Sequence, residues 1–306
     1  MRASNAKLLN LYKESQKAFQ KSEGLNLQHK YAKLDGVVSN IHYFEIGEGK
    51  PLIIIHGAVS TGDSWTNIIS LLKNNFHLYI IDLPGFGLSD KINYREVPSY
   101  REHIIQVMDS LMNSLDLVKA SFIGNSLGGL WISLFALERP EKVDKIGYAG
   151  KPLGMDNDFP FIMQLFGVRG INKLLFKPSN FEETKKIHDQ ILVKDVSKLS
   201  SEYVQCMSYA SMISETNFSQ RTIFESLLKF LSGLRVNLLL DKEMKKIQQP
   251  TVFIWGEFDV HAPLLTANKL VSNMPNAKLE LIKNAGHLPW LEEPKKVANI
   301  IVSFFK

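Results

Sequence analysis

The stretch Ser121-Phe122-Ile123-Gly124-Asn125-Ser126-Leu127-Gly128-Gly129-Leu130 decides the fold. Its first half is a short apolar run that reads as a strand. From Leu127 the apolar spacing becomes helical and continues to Glu138, where Pro140 stops it. Between the two lies Gly124-x-Ser126-x-Gly128, a pattern the chain holds once. The pentapeptide alone specifies little, but its place at a strand-to-helix junction specifies much. A serine on so sharp a turn takes a strained backbone, so the residues two before and two after it must be small. The turn lifts the hydroxyl clear of the sheet, at the N-terminus of the helix.

Outward from this turn, strands alternate with amphipathic helices. Upstream, 26–34 and 40–46 read as an antiparallel pair joined through Asp35-Gly36, followed by the wholly apolar run Pro51–Ile55, which suits a strand buried on both faces. A helix over 64–74, capped by Asp63 or Ser64, leads to strand 76–82. Helix 99–115 carries Ile104, Met108, Leu111 and Leu115 at helical spacing, and strand 119–124 leads into the turn. After helix 127–138 comes strand 143–149. The rhythm then stops, because 152–244 is helical in pattern with no strand. It resumes with strand 251–255, helix 263–274, strand 277–283 and helix 293–305, the last with Val297, Ile300, Ile301, Phe304 and Phe305 on one face. This alternation predicts βαβ units and a mostly parallel sheet with helices on both faces. The expected organisation is one α/β core formed by 1–151 and 245–306, with a helical lid, 152–244, inserted in it. An amphipathic helix over 3–22, with Leu8, Leu11, Tyr12 and Phe19 on one face, is expected to dock on the core.

Composition narrows the function classes. The 306 residues are 45% hydrophobic and 22% charged, an ordinary globular balance. The net charge of +5 is small for this length, and its visible clusters, Lys185-Lys186 and Lys245-Lys246, lack the interleaved aromatics of a nucleic-acid surface. They read as solvated faces, so no nucleic-acid partner is expected. One cysteine, Cys206, forbids an intrachain disulfide. The longest apolar stretches, such as Leu52–Ile55 and Leu238–Leu240, are far too short to span a bilayer. Arg2, Lys7, Lys13, Glu14 and Lys17 break up the N-terminal segment, leaving no secretory signal pattern. The expectation is a cytoplasmic protein with no membrane span, as a monomer or homodimer.

With the serine turn placed, the chain resembles the α/β-hydrolase superfamily, whose triad runs in the order Ser, Asp, His. Trp255-Gly256-Glu257-Phe258-Asp259 looks like the acid turn after its strand. Asn284-Ala285-Gly286-His287 looks like the histidine loop, and Glu292-Glu293-Pro294 opens the final helix as in many members. Ile53-Ile54-Ile55-His56-Gly57-Ala58 resembles the oxyanion strand and loop. Asp82-Leu83-Pro84-Gly85-Phe86-Gly87-Leu88-Ser89 resembles the D-x-P-G-x-G-x-S segment. The likeness covers about 40–150 and 245–306.

The resemblance implies roles that the chemistry of the side chains supports. A serine hydroxyl is a poor nucleophile at neutral pH, so Ser126 needs an adjacent base, which His287 would supply. Asp259 would fix the imidazole tautomer and stabilise the imidazolium. Backbone N–H groups of Ala58 and Leu127 would hold the oxyanion. No metal or organic cofactor is required. Among competitors, His261 follows the wrong strand for the base, and His56 belongs to the oxyanion loop and shapes it. His29, His42, His77, His103 and His188 lack metal-ligand spacing. Cys206 has no elbow around it, Trp65 reads as core, and the Pro-Gly context of Asp82 makes it a loop anchor.

The insertion corresponds to the superfamily's lid and is rich in Phe159, Phe161, Ile162, Met163, Leu165, Phe166, Met207 and Met212. An apolar lid points to an apolar substrate, with Asn125, Phe159, Phe166, Met207 and Leu288 as candidate contacts. Serine at the elbow argues against haloalkane dehalogenases and epoxide hydrolases, whose nucleophile there is an aspartate. The leading expectation is hydrolysis of a small to medium apolar carboxylic ester through an acyl-enzyme. The alternative is a carbon–carbon bond hydrolase of the meta-cleavage type, because Gly124-Asn125-Ser126-x-Gly128-Gly129 matches that group. Leu288 departs from it, since the group has tryptophan directly after the histidine. The lid arginine that the group uses would be Arg169 or Arg221. A non-catalytic ligand receptor on the same fold is the third reading.

Overall fold

The computed structural model describes residues 2–36, 38–157 and 161–306. The chain opens with helix α1 (Arg2–Ser22), then strands β1 (His29–Lys33), β2 (Asn40–Ile46) and β3 (Lys50–Ile55). Helix α2 (Thr66–Leu72), β4 (Phe76–Ile81), α3 (Tyr100–Ser114), β5 (Ala120–Gly124), α4 (Leu127–Glu138) and β6 (Val143–Ala149) follow. The segment after β6 holds α5 (Phe161–Gln164), α6 (Asn172–Leu175), α7 (Phe181–Ile191), α8 (Ser201–Met212) and α9 (Ser214–Leu227), then the two-residue strands β7 (Leu228–Lys229) and β8 (Gly233–Leu234). The sheet resumes with β9 (Thr251–Gly256), α10 (Leu264–Asn273) and β10 (Ala277–Ile282), and the chain closes with α11 (Pro289–Glu292) and α12 (Pro294–Phe305).

Eight strands form one sheet in the order β1-β2-β4-β3-β5-β6-β9-β10. β1 and β2 are antiparallel to their neighbours, and every pair from β4 to β10 is parallel. The apolar run predicted at Pro51–Ile55 sits near the centre, between β4 and β5. Leu52, Ile53, Ile54 and Ile55 are each fully buried. Because side chains alternate along a strand, Ile53 and Ile55 join the core beneath α3, α4 and α10, while Leu52 and Ile54 join the opposite layer beneath α2 and α12. This explains why the strand has no polar face to read.

The N-terminal helix docks as expected. Tyr12 and Phe19 are buried, α1 packs along α8, and the Tyr12 hydroxyl donates to Asp63 at 2.6 Å. That bond overturns one local expectation. Neither Asp63 nor Ser64 caps helix α2 through its side chain, because the segment before α2 is a 3-10 turn, Gly62–Trp65, and α2 has no side-chain cap. Instead, the Asp63 carboxylate is buried and accepts from Tyr12, Gln16 and Thr61. The second difference is the small hairpin of β7 and β8 in a segment where no strand was expected. Two residues per strand are too few to leave an alternation in the sequence. Among the described residues, no helix is long and apolar enough to cross a membrane.

Candidate active site

The C-terminal ends of β3, β5, β6, β9 and β10 converge, and each brings one part of the site. At the end of β5, Ser126 takes φ 47° and ψ −109°, a conformation that costs free energy for any residue with a Cβ and persists only when its surroundings hold it. The two flanking glycines supply the necessary space. A Cβ on Gly124 would lie 2.7 Å from Ile132 Cδ1, and one on Gly128 would lie 2.6 Å from the Ile55 carbonyl oxygen. Hydrogen bonds pin the turn: Asn125 N–H donates to the Ile55 carbonyl at 3.1 Å, and the Ser126 carbonyl accepts from Leu130 N–H at 3.2 Å and Leu153 N–H at 2.9 Å. Ser126 itself is half-buried.

Asp259 follows β9 and His287 follows β10, both nearly buried. His287 Nδ1 lies 2.8 Å from Asp259 Oδ2. The carboxylate is held from other sides as well, by Lys151 N–H on Oδ2 at 2.9 Å and His261 N–H on Oδ1 at 3.0 Å. Burial pushes the Asp259 carboxyl up. The His287 ring, its hydrogen bond, His261 and the Lys151 amide outweigh burial and hold it at about 2. At neutral pH it is therefore an anion whose hydrogen bond fixes the Nδ1–H tautomer of His287 and leaves Nε2 as the basic nitrogen.

The oxyanion candidates sit at backbone termini. Leu127 is the first residue of α4, so its N–H is one of the helix's N-terminal donors without an intrahelical acceptor. Ala58 follows β3 directly after His56-Gly57 and is partly buried. His56 shapes this loop. Its Nδ1 lies 2.7 Å from the Gly57 carbonyl, and Nε2 accepts from Leu83 N–H at 3.0 Å. Burial lowers the pKa of His56, which suits a neutral ring that donates from one nitrogen and accepts at the other.

The candidate substrate contacts divide. Asn125 is turned into the scaffold, contrary to expectation. Its Nδ2 donates to the Ala149 carbonyl at 2.7 Å and the His287 carbonyl at 3.2 Å, leaving it 2% exposed. It staples β5 to β6 and to the histidine loop. Met207 and Leu288 are buried in the apolar layer shared with Tyr12, Phe19 and Trp290. Phe166 is partly buried and packs edge-on to Phe176 and tilted against Phe224, at centroid distances of 4.8 and 5.7 Å. Phe159 lies outside the described residues. Arg169 is exposed, while the Arg221 guanidinium lies 5.9 Å from the Phe218 ring centroid.

His261 packs edge-on to His287 at 4.4 Å, and its Nε2 lies 3.1 Å from the Ile191 carbonyl. Burial and then the neighbouring His287 ring push it down to about 4, so it is neutral at physiological pH and spends Nε2–H on that carbonyl. Sequence reasoning missed Lys151. Besides its amide on Asp259, its Nζ donates to Asp156 at 2.7 Å and to the His261 carbonyl at 3.1 Å. A lysine just past a strand carries no local signal of these long-range partners.

Residues 50–294 match the family model described as alpha/beta hydrolase fold. A 2-hydroxy-6-oxononadienedioate/2-hydroxy-6-oxononatrienedioate hydrolase of Pseudomonas putida is 30% identical over 275 residues, covering 87% of this chain and 91% of that protein. A pimeloyl-[acyl-carrier protein] methyl ester esterase of Legionella pneumophila is 26% identical over 275 residues, covering 87% and 100%. Among solved structures, a carboxylesterase from Bacillus subtilis superposes with a TM-score of 0.79 at 20% identity, covering 99% of this chain and 98% of its own.

Proposed function

The chain belongs to the α/β-hydrolase family and is an enzyme of it, and from that premise we propose a serine hydrolase with Ser126 as nucleophile, His287 as general base and Asp259 as its orienting partner. The observation that carries the reading is that Asn125, in the strained Ser126 turn, is tied directly to the histidine loop, where His287 Nδ1 meets Asp259 Oδ2 at 2.8 Å. In this mechanism Ser126 Oγ attacks a carbonyl carbon while His287 Nε2 takes its proton. The N–H groups of Leu127 and Ala58 hold the oxyanion. Losing one such donor typically costs about 3–4 kcal/mol of transition-state stabilisation. As the tetrahedral intermediate collapses, the leaving group takes the proton from His287. Water, deprotonated by the same ring, then releases the acid from Ser126.

The bond cleaved depends on the leaving group. The relatives favour the reading that the sequence alone placed second, hydrolysis of a carbon–carbon bond in a vinylogous 1,5-diketone. The Pseudomonas putida relative is named for such a hydrolysis and aligns over most of both chains. The carbon fragment leaves as a delocalised enolate and is protonated. Lid residues 152–244 cover the site in this reading. Ester hydrolysis is the second reading, supported by the Legionella relative, which is named an esterase and aligns over most of this chain.

Steady-state kinetics on a vinylogous 1,5-diketone dienoate, beside p-nitrophenyl esters of rising chain length, separate the two. The expected result is a kcat/KM for the diketone at least 100-fold above that of the best ester. The reverse order establishes the ester reading, and inertness toward both overturns each of them.

A further inference from the structure

Glu292 ends the short helix α11, five positions past His287, and is 5% exposed. In the sequence it reads as the lead-in to the last helix. In the structure its carboxylate turns inward, between two segments almost one hundred positions apart. Oε2 accepts from Gly286 N–H at 2.6 Å, on the histidine loop. Oε1 accepts from Lys194 N–H at 2.9 Å and Asp195 N–H at 2.8 Å, just past helix α7. The two segments also meet through their backbones. Leu288 N–H donates to the Leu192 carbonyl at 3.0 Å, and a Cβ on Gly286 would lie 2.8 Å from Val193 Cα.

This arrangement uses the carboxylate for what a neutral group cannot do. Both oxygens of an ionised carboxylate accept, so one side chain satisfies three amides that point at it from opposite sides. The Gly286 amide is buried, so water does not replace its acceptor when the carboxylate is lost. The consequence falls on His287. Asn125 fixes its carbonyl on the following side, Asp259 fixes its ring, and Glu292 fixes the amide of the residue before it.

We infer that Glu292 is a positioning residue that couples segment 192–195, within the proposed lid, to the histidine loop, so that His287 is correctly aimed only while that segment is seated. The inference rests on the reading of His287 as base.

Glu292→Gln tests it, because the substitution keeps shape and volume. Whichever way the amide turns, its NH2 faces either Gly286 N–H or the pair at Lys194 and Asp195. With a fluorophosphonate as probe, the maximal labelling rate of Glu292→Gln is expected to fall tenfold or more. The half-saturating concentration stays within threefold, and final labelling stoichiometry, which counts folded sites, stays near one. Lys17→Ala, which removes an exposed ion pair with Glu14 on helix α1, leaves the rate within twofold. A Glu292→Gln protein whose rate per labelled site is within twofold of the parent overturns the inference, whatever its melting temperature.

Should the variant not fold, amide hydrogen exchange in the unmodified protein decides. Gly286, Lys194 and Asp195 must open with one common free energy, and three unrelated values contradict the coupling. A parent protein that resists the probe, or a Ser126→Ala variant that labels as fast, instead defeats the underlying assignment of the site. The exchange measurement then still tests the coupling.

Discussion

Among the described residues, two buried Asp–His pairs have almost the same geometry. His287 Nδ1 meets Asp259 Oδ2 at 2.8 Å, and His42 Nδ1 meets Asp82 Oδ2 at 2.7 Å. Both carboxylates are pushed up by burial and pulled down by the histidine, and both end below the ordinary carboxylate range. What differs is everything around them. Asp82 also accepts from Gly62 N–H and Leu88 N–H, closing the loops that follow β3 and β4, and the far nitrogen of His42 lies 2.9 Å from His29 Nδ1. Both His42 nitrogens are spent, so that pair is an anchor. The Asp259 pair lies at the strand ends that meet the strained serine turn, with Nε2 of His287 as its basic nitrogen. A His–Asp bond is thus no signature of catalysis. The third group decides.

Breaking the pairs should separate rate from stability. Asp259→Asn keeps the hydrogen-bond geometry but favours the wrong tautomer of His287. It is expected to lower kcat on the order of 10³- to 10⁴-fold while melting within a few degrees of the parent. A loss under tenfold contradicts the orienting role. His42→Ala should do the opposite. It leaves the buried Asp82 carboxylate with one hydrogen-bond partner fewer, and chemical denaturation should show a loss of about 3 kcal/mol, with kcat per labelled site unchanged within threefold. A rate loss comparable to that of Asp259→Asn would erase the distinction between the pairs.

The smallest effect is in acid. The folded-state pKa of Asp259 is depressed, so its contribution is complete above the unfolded carboxylate range and fades as pH falls through about 2. It amounts to roughly 2 kcal/mol. Denaturation midpoints measured from pH 6 down to pH 2 should fall less steeply for Asp259→Asn than for the parent, and parallel curves would contradict the depressed pKa.

How far this could be read from residues alone varies with the range of the interaction. The sheet strands β3, β4, β5, β6, β9 and β10 and the helices α2, α3, α4, α10 and α12 were legible because each bears a local pattern, an apolar run or a 3.6-residue spacing, that survives without knowledge of its neighbours; the two-residue strands β7 and β8 bear none. The serine turn was legible for the same reason, since sterics demand small residues at fixed offsets. The Asp63 contact with Tyr12 was not, nor was the inward turn of Asn125, because a polar residue beside a functional one gives no sign of which way its side chain faces. Lys151 and Glu292 are hidden more deeply. Their partners are backbone amides and carbonyls, which every residue possesses, so no residue type at the far end marks the contact.

On the proposed reading the Asp259–His287 pair, and not the Asp82–His42 pair, activates Ser126. Fluorophosphonate labelling followed by peptide mapping separates the two, run on the parent, Ser126→Ala, His287→Ala and His42→Ala. One adduct is expected, on the peptide containing Ser126, absent from Ser126→Ala and from His287→Ala and retained in His42→Ala. An adduct on another residue, or undiminished labelling of Ser126→Ala or His287→Ala, would contradict that reading.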